Sequence, residues 1–379
     1  MSEKKGLYGI WLVVLGILIL LGLYTALKLF IEGHGLFNTN DVILWSLPLG
    51  VYIFLALTSS GLTLLAGVPL VLKVKKYEPF AKRLVFLSIA TLMGAFVAIG
   101  LELGSVQHMF WVFFSPNLSS PIWWLALIYS VELVVLIVKF WRMHKGDWHS
   151  SFSNTLGVIS FLLAMIAPLM IGSIFGITES RVTYFGPMMS IYSLVLGLLS
   201  GTALFLLYSM IFHRVTGDGD VERQTSLYNE FTVIFAYIAS IAVVFSLVKF
   251  AIESATTVPE FLIYHKFEHA FGAWQGFHFE VLLGLFLPFL LLLIPSVRRS
   301  VGGKTVTSGL ILVGTLMMHM EILLAGQSHP VGPKAEQYPE FISYFPSIWE
   351  WLVFVFALAV MLLLYTLGER YLKLMEVPQ

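Results

Sequence analysis

The chain has 379 residues, 58% of them hydrophobic and only 12% charged, with 22 basic and 22 acidic side chains and no net charge. Soluble domains carry about 25% charged residues, so this surface cannot be covered for water and belongs in lipid. The balanced charge gives no polyanion signal and no nucleic-acid partner is expected; the lack of cysteine excludes disulfides, thiolate zinc sites and cysteine-ligated iron–sulfur clusters within the chain.

A bilayer core of about 30 Å takes roughly 20 apolar residues of helix. Ten stretches qualify: 7–30, 42–72, 84–104, 121–141, 152–177, 186–212, 229–252, 274–296, 305–326 and 348–368. The expected fold is therefore an all-α integral membrane protein of ten transmembrane helices. The first run follows Met1–Lys5 without a small-residue cleavage site and reads as an uncleaved span. The second is long enough to tilt. With the N-terminus inside, 17 of the 22 Lys and Arg fall in cytoplasmic segments, Lys82, Arg83, Lys139 and Lys304 among them. That asymmetry is the positive-inside pattern; it places both termini in the cytoplasm. The outer loops 105–120, 253–273 and 327–347 are longer and aromatic. They suit either docking of an extramembrane partner or simple lids over helix ends.

Ser59-Ser60-Gly61 in the second span recurs as Leu199-Ser200-Gly201 in the sixth, preceded by Pro48 and Tyr52 in one case and Pro187 and Tyr192 in the other. The spacing suggests two four-helix bundles, 42–177 (spans two to five) and 186–326 (spans six to nine), flanked by 7–30 and 348–368. Coincidental small-residue packing is the alternative.

Ionisable groups within spans are costly and mark a site by default. Here they gather in the outer halves. Glu102 closes span three and His108 follows it. Lys249 and Glu253 end span seven; Tyr264, His265, Glu268 and His269 lie in the loop beyond. Trp274, His278 and Glu280 open span eight, and His319, Glu321 and Gln327 lie toward the end of span nine. Glu132 stands apart, roughly 16 Å down span four at 1.5 Å per residue, near the midplane. A lone interfacial Glu, Lys or His reads most simply as snorkelling to headgroups; convergence of four spans on one level argues for a site. His278/Glu280 and His319/Glu321 are each two apart, so one member of each pair is expected to face inward, the carboxylate by preference.

A quinone suits such a place. Its ring needs a partly apolar slot, its carbonyls take hydrogen bonds from His, Gln, Tyr or Trp, and its two protons need a titratable neighbour. Glu280, Glu102, Glu321 and Glu132 are the proton-transfer candidates; His108, His269, His319, Gln327, Tyr264 and Trp274 are the ring-binding candidates. No metal site is expected in this chain, and no haem, because only His278 and His319 lie within spans, both near the same end. The alternatives are a secondary transporter, which would place its site at the midplane, and a haem-bearing cytochrome b-type subunit, which a Soret band would reveal.

Several segments carry a family resemblance: Leu44–Tyr52; Leu101–Gly104 followed by Pro116–Pro121 and Trp123; Phe279-Glu280 with Leu283-Gly284 and Leu287-Pro288; Ala325-Gly326-Gln327; Pro346–Glu350; and Gly368–Tyr371. Their order resembles the NrfD/polysulfide-reductase membrane-subunit family over nearly the whole chain, and within it the ten-span branch that includes hydrogenase and alternative-complex membrane subunits. The resemblance implies a subunit without a redox centre of its own. Such a subunit binds menaquinone or ubiquinone near the outer face and exchanges electrons with an iron–sulfur subunit docked there. Through that subunit it reaches a catalytic oxidoreductase subunit, with proton movement through the bundle in some members. The chain departs from the pattern at Ser105–His108, where relatives carry Arg, and at His319 and Glu321, where relatives carry Arg and Asn.

Overall fold

The computed structural model describes residues 2–104, 108–179, 186–216, 225–255, 279–328, 342 and 344–376. Among them every regular element is helical: α1 (Ser2–Glu32), α2 (Leu47–Leu70), α3 (Glu78–Glu102), the short α4 (Trp111–Phe114), α5 (Pro121–His144), α6 (Ser151–Gly176), α7 (Met188–Thr216) and α8 (Thr225–Ala255). Next comes α9, a broken helix made of Phe279–Val281, a π-helical turn over Leu282–Phe286, and Leu287–Leu293. The short α10 (Pro295–Arg299), α11 (Val301–Ser328) and α12 (Ile348–Tyr371) complete the chain. Nine of the described helices are long and apolar enough to cross a bilayer, and α9 supplies a shorter apolar segment, Leu282–Leu293. The fold is thus the all-α, ten-span membrane architecture that the apolar runs imply. In α9 the wide turn precedes Pro288, whose missing N–H leaves the Gly284 carbonyl without its usual helical partner.

α2 is the hub. It packs against α3, α6 and α7, and nearly all its residues are buried, which a helix tolerates only when apolar all round. α5 packs on α6 and α3, α7 on α8 and α11, and α9 on α11; α12 lies on α3 and carries α1 on its outer side. α2 and α7 cross in backbone contact: a Cβ on Gly61 would collide with the Gly197 carbonyl oxygen, and one on Gly201 would meet the Gly61 backbone. Thr58 donates to Ser200 across the crossing at 2.9 Å. The recurring Ser-Gly segments therefore touch each other. α9 and α11 meet as closely, at Gly284 and Gly314.

Two features differ from the sequence reading. α2 starts at Leu47 rather than at 42, because side chains take the preceding backbone donors. Gln327 Oε1 accepts from the Leu44 and Trp45 N–H groups at 2.9 and 2.8 Å, and Glu102 accepts from Ser46 N at 3.0 Å. Four of the basic residues counted toward the cytoplasmic loops lie buried within helices instead. Arg83 pairs with Glu369 at 2.6 Å and Lys82 with Glu376 at 2.8 Å, tying α3 to α12 and to the residues after it. Lys304 donates to Asn229 Oδ1 at 2.7 Å and to the Arg299 carbonyl at 3.1 Å. Lys139 donates to the Trp148 carbonyl, the Ser153 carbonyl and the Ser153 hydroxyl at 3.1, 3.0 and 2.7 Å.

Lys139 thus pins the α5–α6 turn from inside. Lys139→Ala leaves buried acceptors without a donor, each worth about 1–3 kcal/mol. The variant should lose about 2–3 kcal/mol in thermal unfolding of the detergent-solubilised protein; Lys145→Ala, at an exposed neighbour, should change it little.

Candidate functional site

Polar side chains collect in three layers. The first lies where α2 and α12 begin and α3 and α11 end. Glu102 accepts from the Ser46 hydroxyl at 2.6 Å as well as from its N–H. Glu350, fully buried in the first turn of α12, accepts from Tyr344 Oη, from Asn38 N at 3.1 Å and from Ser347 N at 2.5 Å. With Ser347 it forms a capping box, two orphan N–H groups satisfied reciprocally. Burial, and then the hydrogen bond to Glu350, push the Tyr344 phenol far above its ordinary range, so it stays protonated and donates. Its oxygen accepts from Leu47 N at 2.8 Å. Gln327 completes this layer, its amide nitrogen donating to the Trp45 and Leu323 carbonyls at 3.1 Å each. All four of its bonding directions are engaged with the chain itself.

The second layer lies one to two turns deeper, among α7, α8, α9 and α11, with α2 alongside. The Tyr192 hydroxyl reaches Ser246 Oγ at 3.2 Å and Met318 Sδ at 3.9 Å, joining α7, α8 and α11. His319 and Glu321 are both buried, each 4% exposed, and Glu280 is 8% exposed. The contact of Gly284 with Gly314 fixes the register of α9 on α11. The two run antiparallel through α10, so one turn beyond that contact Glu280 comes level with Met318. On the α2 side, Phe54 stacks edge-on to the His319 ring at 6.2 Å. His319 Nδ1 lies 2.5 Å from the Thr315 carbonyl. A carbonyl only accepts, so Nδ1 carries the hydrogen, and in the neutral ring Nε2 is an acceptor. That nitrogen is buried and has no hydrogen-bond partner among the described residues. Both His319 and Glu321 are enclosed, rather than one of the two, because α11 has α2, α7 and α9 packed around it and leaves only the stripe of Val306, Val313 and Met317 exposed among its described residues.

The third layer is in the middle of the bundle. Glu132 on α5 is fully buried, with the Thr63 hydroxyl beside its carboxylate. Around it stands a run of hydroxyls, of which the sequence had marked Ser59 and Ser60 only as part of the recurring segment. Ser60 approaches Tyr129 Oη at 3.4 Å, Thr63 lies 2.6 Å from Ser88 Oγ, and Ser88 lies 3.0 Å from Ser59 Oγ. Tyr52, the counterpart of Tyr192 in the recurring segment, has its ring 6.4 Å from that of Tyr129.

The structure thus buries Glu280, His319 and Glu321 at about one level of the α9–α11 pair, with Phe54 of α2 against the His319 ring, and sets Glu102 with Gln327 above them and Glu132 below. His108 is exposed beyond α3. Tyr264, His269 and Trp274 lie outside the described residues, as does His278. Sequence reasoning missed Ser246, Tyr344 and the role of Glu350. The Ser347–Glu350 spacing ahead of an apolar run is a readable capping signal, whereas Tyr192 carries no signal beyond its place in the repeat.

The family model for polysulphide reductase NrfD matches residues 35–331, which include all three layers apart from Tyr344, Ser347 and Glu350. Among curated proteins, the chain is 25% identical to a putative dimethyl sulfoxide reductase membrane subunit of Halobacterium salinarum, over 83% of this chain and 77% of that one. It is 22% identical to an Hdr-like menaquinol oxidoreductase integral membrane subunit of Archaeoglobus fulgidus, over 98% and 96%. To a selenate reductase subunit of Mesobacillus selenatarsenatis it is 21% identical, over 96% and 93%. With ten apolar helical segments in the expected order and a family model spanning most of its length, the chain belongs to the NrfD polysulphide reductase family.

Proposed function

We propose that this chain is the quinone- or quinol-binding membrane subunit of a multi-subunit respiratory oxidoreductase, with the ring seated in the second layer. The observation that carries this reading is the burial of Glu280, His319 and Glu321 at about one level of α9 and α11, the level at which Tyr192 bridges Ser246 and Met318, with His319 Nε2 unpartnered among the described residues. The similarity to a menaquinol oxidoreductase subunit along almost the whole chain supports it.

His319 Nε2 can accept the O–H of a quinol head and, once protonated, donate to a quinone carbonyl. Glu280 and Glu321 are the carboxylates placed to exchange the two protons that accompany two electrons. The bridge of Tyr192 to Ser246 and Met318 holds α7 and α8 at a fixed spacing from α11. Gln327, its amide fully used, positions the residues before α2 rather than the ring. Glu132 and its surrounding hydroxyls serve proton transfer at mid-membrane. Electrons pass to an iron–sulfur subunit on the non-cytoplasmic side and from it to a catalytic subunit. Both termini lie in the cytoplasm of a bacterial or archaeal cell whose cytoplasmic membrane supplies the quinone, menaquinone or ubiquinone.

Purified from native membranes with its partners, the chain should bring down a polypeptide rich in four-cysteine cluster motifs and support quinol-linked electron transfer. Isolation of the chain alone, with solute flux in proteoliposomes, would contradict the reading. A second expected result concerns Glu132. In proteoliposomes holding the assembled complex, Glu132→Gln should abolish proton movement coupled to turnover while leaving quinol-linked electron transfer in detergent largely intact. Equal loss of both would remove the carboxylate from proton transfer.

A further inference from the structure

Among the described residues, the connection between α3 and α5 carries the most exposed aromatic cluster outside the long helices. Phe110, Trp111, Phe113 and Phe114 are 60, 61, 43 and 77% exposed. They lie on α4 and the residue before it, with Trp111 and Phe114 packed edge to face at 6.2 Å and an open cleft between them and Phe110. Apolar side chains in such number need a cover, and two are conceivable: a docked protein or the bilayer.

Four observations favour the bilayer. No charged residue occurs between Met109 and Val131, whereas a protein–protein interface carries a polar rim and hydrogen bonds around its apolar centre. The patch runs without a break into the exposed apolar face of α5 (Ile122, Trp124, Val131, Val134, Ile137), a face that crosses the membrane. Several backbone groups around α4 are paired internally. Val112 and Phe113 donate to Met109 and Phe110, and Ser115 donates to Trp111 at 2.8 Å, as a segment entering hydrocarbon requires. Two indoles then lock the segment onto the start of α5: Trp123 Nε1 donates to the Val112 carbonyl at 2.6 Å and Trp124 Nε1 to the Leu118 carbonyl at 2.9 Å. Paired Trp residues at a span's start are characteristic of the headgroup level.

We infer that residues 109–114 form a rigid hook lying in the plane of the membrane, its aromatic side chains seated among the acyl chains of the leaflet that contacts the start of α5. Asn117 and Ser119, exposed on the turn that follows, face the headgroups. The loop is then a lipid-held brace rather than a docking platform. Among the described residues, that leaves the ends of α2, α11 and α12, above the first layer, for a water-soluble partner on this side of the membrane.

The absence of cysteine permits a direct test. Phe114→Cys and, separately, Phe110→Cys are labelled with a nitroxide in the assembled complex in phospholipid nanodiscs. Collision with oxygen and with a neutral nickel chelate is then measured by power-saturation electron spin resonance. Ile137→Cys and Lys145→Cys, the latter on the exposed α5–α6 turn, serve as hydrocarbon and water references. Labels at 110 and 114 are expected to match position 137, with oxygen collisions several-fold above those of nickel. Nickel accessibility equal to position 145 would show a solvated loop. Protection from both reagents would show a covering protein. Either result overturns the inference, and neither bears on the quinone site.

Discussion

Glu280→Gln is expected to lower quinol-linked turnover of the assembled complex by about 100-fold or more, the range associated with loss of a positioned proton acceptor. Glutamine keeps the size and most of the hydrogen-bonding reach of the side chain, so packing of α9 on α11 at Gly284 and Gly314 should survive. Assembly is checked by co-purification of the partner subunits and by an unchanged thermal midpoint. The expected signature is a drop in kcat greater than any rise in the KM for quinol, because the carboxylate acts on the proton and not on the ring. His319→Gln should behave differently. It keeps a polar group facing the slot but removes the titratable ring, and a combined loss of affinity and rate is expected. Turnover unaltered by Glu280→Gln would remove that residue from the proposed chemistry and leave Glu321 as the remaining carboxylate of the layer.

The largest structural effect is expected at Gly61. Even the methyl of Gly61→Ala would collide with the Gly197 carbonyl, and neither backbone at this crossing can step aside as a flexible side chain would. Membrane helices gain stability by close backbone approach at small residues, since lipid offers them no hydrophobic drive to associate. Pushing α2 from α7 also separates Thr58 from Ser200 and loosens the hub against which α3 and α6 pack. Overpacking of this kind costs typically 1–3 kcal/mol and more where backbone must move. Gly61→Val is expected to give little folded protein. Gly61→Ala should show a clearly lowered midpoint in thermal unfolding. Gly9→Ala, where a Cβ meets nothing within 4 Å, should be neutral or slightly stabilising through helix propensity. Equal midpoints for the two alanine variants would mean that the α2–α7 crossing does not hold the bundle together.

The architecture was legible because lipid leaves few options: a backbone in hydrocarbon must be helical, and a run of about 20 apolar residues announces it. Helix ends were harder. The residues before α2 are apolar enough to continue a span, yet Gln327, some 280 residues on, takes their N–H groups and keeps them extended; no local pattern contains that information. Burial of Lys82, Arg83, Lys139 and Lys304 was likewise invisible, since each depends on a partner set by tertiary packing. Within the site, Glu280, His319 and Glu321 were found because titratable groups stand out in apolar helices. Tyr192 and Ser246 did not stand out because hydroxyls are unremarkable there. A helical-wheel argument failed for His319 and Glu321 because it assumes one buried face, and α11 is buried on several.

Photoaffinity labelling of the assembled complex with an azido-quinone, mapped by mass spectrometry, tests the central assignment most directly. The account predicts adducts on the segments around Tyr192, Glu280 and His319–Glu321, suppressed by excess native quinone and lost in the His319→Gln variant. Competable adducts confined to α5 around Glu132, or to another subunit altogether, would contradict it.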